Sequence, residues 1–237
     1  MEKLPKENIV TLNKQFRMHP EIGSFIAQVF YKNEKLENGI PASERSFPIP
    51  GYPKAVSYHS TESFADRAKE TFDEKRKSYH NASEVQVCLE QLKLIDKISE
   101  NKTPPTIGLI SLYKGQVQLL KKKVSELNLK NIKLSFDSHI ATLDSFQGRE
   151  EDIILLSLVR RPENIKKFDA QLYRFFLDVR RLNVALSRAK KRLFIIGDLK
   201  RITEVTKNQE HVPGMEVVKA LLEYIEVNNL EVPRAKS

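Results

Sequence analysis

Four short runs in the second half of the chain are apolar at nearly every position: TIGLISL at 106–112, HIATL at 139–143, DIILLSLV at 152–159 and RLFIIG at 192–197. A strand with one face in water alternates apolar and polar residues, so a strand apolar throughout must be covered on both faces. Helical patterns separate the runs, YKGQVQLLKKKVSEL after the first and VRRLNVALSRA before the last. Doubly buried strands alternating with helices predict an α/β fold, a mostly parallel sheet with helices on both faces.

The first half is less regular. HPEIGSFIAQVFY reads as a helix with Pro20 in its first turn, where the missing N–H costs nothing. Residues 37–53 hold four prolines and two glycines and read as a loop. KAVSYHS is a candidate short strand, and the polar stretch 60–80 reads as mobile. NASEVQVCLEQLKLIDKISE gives a long helix that Asn81 or Ser83 could cap. The expectation is one domain over 1–237, with its core at about 10–200. Residues 37–80 are a loop-rich candidate insertion, and 201–237 a helical tail with a helix near 214–226.

The chain carries 40 basic and 31 acidic side chains. Residues 111–201 hold 20 basic and 10 acidic ones, and the remainder 20 and 21, so the whole excess lies in one continuous stretch. A local basic excess points to a polyanion, or else to a lysine-rich solvated surface. The single Cys88 excludes an internal disulfide framework and a cysteine-cluster metal site, and no His spacing suggests a metal. No apolar run reaches the ~18 residues of a membrane span. The N-terminus MEKLPKENIV lacks the apolar core of a signal peptide. An intracellular protein is expected, with no membrane partner.

Ligands of open α/β sheets bind outside the carboxyl ends of the strands, here the loops beginning at Tyr113, Asp144, Arg160 and Gly197. No GxxxxGK[ST] loop exists, because none of the eight glycines precedes a lysine. Alone, then, the chain should not hydrolyse a nucleoside triphosphate. Asp198, after LFIIG, reads as a turn residue rather than a metal ligand. Arg17 and Arg188 are suited to assist hydrolysis, since a positioned guanidinium stabilises charge on a transferring phosphoryl group. Bland readings stand beside this: a surface salt bridge for Arg17, and for Arg188 a cation at a helix C-terminus. His19, before Pro20, reads as a helix-start residue that fixes the loop carrying Arg17.

Three stretches occur in order: LNKQFRMHPEI, ATLDSFQGREEDIILLSLVR and LNVALSRAKKRLFIIGD. Together they resemble the second motor domain of superfamily 1 helicases, in the group of the nonsense-mediated-decay helicase and senataxin-type enzymes. The resemblance covers roughly residues 10–200 and implies a RecA-like fold. It implies a nucleotide site of Gln15, Phe16, Gly148 and Glu150, with Phe16 on adenine and Glu150 on the ribose. Arg17 would reach the γ-phosphate and Arg188 would be the arginine finger; these two are the catalytic candidates. The cofactors implied are ATP and Mg, the metal held mainly by a first motor domain that would be the chain's partner. Single-stranded DNA or RNA is the other implied partner, with 5′-to-3′ travel. Tyr113, Lys114, Gln116, Thr142 and Asn183 are candidates to touch it, or else to make local hydrogen bonds; Asn183 could instead pair with Ser187. The alternative function is a RecA-like module that binds nucleic acid without motor activity.

Overall fold

The computed structural model describes residues 13–31, 36–162, 173–207 and 212–233. In chain order its strands are β1 (Lys14–Gln15), β2 (Glu37–Asn38), β3 (Val56–Ser60), β4 (Thr71–Asp73), β5 (Ser78–His80), β6 (Ile107–Ser111), β7 (Ile140–Thr142), β8 (Glu151–Ser157) and β9 (Ala189–Gly197). Its α-helices are α1 (Pro20–Phe30), α2 (Ala82–Ile98), α3 (Lys114–Ser125), α4 (Val179–Leu186), α5 (Leu199–Thr206) and α6 (Met215–Val227). Five strands form one parallel sheet in the order β3-β9-β8-β6-β7.

Period-two alternation sorts the apolar strands between two cores. On β8, Ile154 and Leu156 face α1, α4 and α6, while Ile153 and Leu155 face α2 and α3. On β9, Leu193 and Ile195 join the first core, Phe194 and Ile196 the second. Helices therefore cover both faces, as the apolar runs require. Local signals set the helix starts. Pro20 begins α1 and the His19 ring caps it, Nδ1 accepting from Glu21 N at 3.1 Å. Asn81, rather than Ser83, caps α2, its Oδ1 accepting from Ser83 N and Glu84 N. Asp198 caps α5 through Arg201 N at 2.9 Å and pairs with Arg161 at 2.8 Å.

One expectation needs correction. Residues 60–80, read as mobile, contain a 3-10 stretch (Glu62–Ala68) and an antiparallel hairpin of β4 and β5. The loop at 37–53 is tied to the sheet by the buried Arg192, which donates to Phe47 O at 2.6 Å, Tyr52 O at 3.0 Å and Lys54 O.

Candidate nucleotide and strand sites

Parallel strands give the sheet an amino edge and a carboxyl edge, and the candidate residues divide between them. At the amino edge, Arg188 occupies the step between α4 and β9, and its carbonyl accepts from Glu151 N, the start of β8, at 3.1 Å. The loop carrying Arg17 reaches the same edge because His19 N donates to Lys190 O at 2.7 Å. Arg17 Nε lies 2.5 Å from Glu150 Oε2. Arg188 Nη1 donates to Arg149 O at 3.1 Å, while its buried Nε has no hydrogen-bond partner among the described residues. Burial first, and then the guanidinium of Arg17, push the Arg188 pKa below its usual value; Glu150 opposes them. Two guanidinium groups thus lie near one carboxylate that pairs with only one of them, an arrangement that can attract an anion.

Phe16 extends the site. Its ring is 59% exposed and lies against Gly39, where an added Cβ would stand 2.4 Å from a ring atom. Gly148 has φ +81, and nothing lies within 4 Å of where its Cβ would be, so a ligand can approach that backbone closely. The Gln15 amide nitrogen donates to Met18 O at 3.0 Å and Asn38 Oδ1 at 2.6 Å, and its Oε1 accepts from Arg17 N and Met18 N. With both amide hydrogens used inside the chain, Gln15 shapes the loop that carries Arg17. Sequence reasoning missed two supports of this loop. Asn38 also donates to Pro20 O and Ser24 Oγ, and Arg45 Nε donates to Arg17 O at 2.9 Å. Neither carries a sequence signal, because each acts across a distance set by the fold.

At the carboxyl edge, Tyr113, Lys114 and Thr142 line one cleft of about 510 Å³. Tyr113 is buried beneath it, and burial pushes its hydroxyl pKa up to about 12. Thr142 Oγ1 donates to Ser145 Oγ at 3.0 Å, the local bond expected as its alternative. Gln116 is corrected outright. It is fully buried, donating to Ser157 Oγ at 2.8 Å and Asn81 O at 3.1 Å and accepting from Asn81 N at 2.7 Å. No strand can reach it. Asn183 turns toward α1 and donates to Tyr31 OH at 2.9 Å, not to Ser187. It lies apart from the cleft that Arg181, on the same helix, helps to line.

A parallel sheet of this order with helices on both faces is the α/β architecture of a RecA-like domain. The AAA-domain family matches residues 1–200, and the chain belongs to it, within the nonsense-mediated-decay and senataxin-like group of superfamily 1 helicases. It is 33% identical over 192 residues to the regulator of nonsense transcripts 1 homolog of Neurospora crassa, covering 81% of this chain and 17% of that protein. Against the ATP-dependent helicase NAM7 of Saccharomyces cerevisiae it is 30% identical over 198 residues, 83% of this chain and 19% of the relative. Against the DNA polymerase alpha-associated DNA helicase A of that yeast the figures are 33% over 209 residues, 82% and 28%. The chain thus spans less than a third of each of these relatives.

Proposed function

We propose that this chain is the second motor domain of an ATP-dependent helicase and completes an ATP site held mainly by a partner motor domain. What supports the reading is the meeting of Arg17, Glu150 and Arg188 at one edge, which a strand-binding module would not need. The fit to a nucleotide rests on three features: the unpartnered Nε of Arg188, the open space at Gly148 and the exposed ring of Phe16. Bound with Mg, ATP supplies the phosphoryl transfer that drives the motor.

The chain's own residues orient and stabilise. Phe16 offers a face to adenine, and Glu150 accepts from a ribose hydroxyl after releasing Arg17. The freed Arg17 turns to the γ-phosphate, and Arg188 stabilises the charge that builds there, supplying no proton. Closure of the two domains, and reopening after hydrolysis, moves a single strand of DNA or RNA past Tyr113, Lys114 and Thr142, 5′ to 3′. The work is intracellular. ATP turnover and directional unwinding by the intact protein test the reading. Stimulation by single strands is expected, and a protein that binds strands yet turns over no ATP would sink it.

A further inference from the structure

The hairpin of β4 and β5 and the segment at 173–175 face each other across the carboxyl-edge cleft, and one buried residue holds both. The Arg160 guanidinium lies 3.8 Å from the Tyr79 ring centroid and 3.8 Å from that of Tyr173. It is 1% exposed and forms a two-pronged pair with Glu70, at 2.9 Å for each contact. The hairpin is also seated on α3. Gly115 N donates to Ser78 Oγ at 3.0 Å, and a Cβ on Gly115 would stand 2.7 Å from Tyr79 O. Two lips are therefore fixed at a set width. Arg76 and Lys77 project from one, Arg174 and Phe175 from the other.

The chemistry of the lips selects an occupant. Among the described residues lining the cleft, five are basic and one, Asp144, is acidic. Arg76 pairs with Asp73 at 2.6 Å and Lys77 with Glu74 at 2.7 Å. Exposed pairs of this kind are weak and exchange readily for phosphate. Phe175 is 39% exposed, with the guanidiniums of Arg174 and Arg181 at 4.9 and 5.0 Å from its ring centroid. Arg181 is likewise paired, with Asp144 at 2.8 Å. An aromatic face set among cations suits a base attached to a phosphate backbone; a purely apolar partner would bury these ion pairs and offer them no hydrogen bonds in return.

We infer that a single nucleic-acid strand runs between these lips, one base stacking on Phe175 while Arg76 and Lys77 meet its phosphates. This rests on the strand-binding reading above and extends it to residues outside the three motifs that carry the resemblance. The test is fluorescence anisotropy of fluorescein-labelled oligo-dT and oligo-U with the intact protein, over a range of salt. For whichever strand the wild type binds more tightly, Phe175→Ala should weaken affinity roughly 5- to 150-fold, the range of one base-on-aromatic stack. The salt slope should not change, and Phe175→Tyr should restore affinity. A paired Arg76→Ala, Lys77→Ala variant should lower the slope instead. On a strand of abasic residues, wild type and Phe175→Ala should bind alike. Wild type that binds strands with an affinity indifferent to Phe175 overturns the inference and leaves the motor reading standing. Wild type that binds neither strand overturns both.

Discussion

Arg17 and Glu150 are joined, Nε to Oε2 at 2.5 Å, across the mouth of the amino-edge site. Both side chains are about 40% exposed, so the pair is screened and easily opened. It holds in place, before any ligand arrives, a guanidinium whose proposed task begins once the pair breaks. It is also the surface salt bridge that the sequence left open for Arg17. That outcome and the phosphate-contacting role describe the same side chain in two states.

The nearness of Arg188 to this pair yields the first prediction. Arg188→Ala should lower ATP turnover by about 10³ or more, the low end for an arginine finger, with single-strand affinity unchanged. Arg17→Ala should cost about ten- to a hundredfold, as for a lost charge-assisted bond. Both act on one developing charge, so the double variant should lose less than the product of the single losses. Steady-state ATPase assays of the four proteins measure the coupling. Independent losses would mean that the two groups do not serve one phosphate.

Gly39 offers a cleaner handle on the adenine contact than Phe16 itself. Its φ is not in the left-handed region, so alanine strains no backbone, yet the new Cβ would stand 2.4 Å from the Phe16 ring. The ring must move. Gly39→Ala should raise KM for ATP about tenfold while lowering kcat much less, consistent with loss of one aromatic contact. Equal falls in kcat and kcat/KM would place Phe16 in transition-state stabilisation and not in nucleotide binding.

Much of this arrangement was legible, for physical reasons that also mark the limit. Continuous apolar runs fixed β6, β8 and β9, because double burial leaves no other pattern, and Pro20 and Asn81 marked helix starts by local chemistry. The hairpin at 71–80 was not legible. Its strands have three residues each, too few to show a period, and it is held by Arg160 and Gly115 from distant parts of the chain. Gln116 was misplaced for a related reason. It follows a strand end, where ligands are expected, but it sits in the first turn of α3 facing inward to Ser157. The carboxyl-edge rule pointed to the cleft proposed for the strand and away from the candidate nucleotide residues Glu150 and Arg188, which lie where β8 and β9 begin.

A buried acid gives the fold a pH dependence. Glu84 is fully buried, and burial raises its pKa to about 8, although Ser157 Oγ at 2.6 Å and Val159 N at 2.8 Å both donate to Oε2. A raised pKa means that the folded chain binds a proton the unfolded chain releases near pH 4.5. Stability from this group is therefore complete below about pH 4.5 and is lost as pH rises toward 8. At about 1.4 kcal/mol per pKa unit, the loss is on the order of a few kcal/mol. Glu84→Gln, which cannot ionise, should melt higher than wild type at pH 8.5 and lose less Tm between pH 5.5 and 8.5. Parallel Tm profiles for the two proteins would place the ionisation elsewhere.

The last prediction concerns the segment that runs from one edge of the sheet to the other. Thr142 ends β7 at the strand cleft, and Glu150 stands at the nucleotide edge just before β8. Between them the turn is closed by Thr142 Oγ1 to Ser145 Oγ and by Phe146 N to Thr142 O at 2.9 Å. Phe146 is fully buried, and a Cβ on Gly108 would stand 2.7 Å from its ring tip, so the turn has little room to shift without moving as a body. A contact at Thr142 is thus positioned to be felt at Glu150. Thr142→Ala should raise, by several-fold, the strand concentration that half-maximally stimulates ATP turnover. Arg188→Ala should lower the turnover plateau and leave that concentration unchanged. Both quantities come from one titration of ATPase rate against oligo-dT or oligo-U. If Thr142→Ala lowers only the plateau, its hydroxyl serves the hydrolysis site and not the strand.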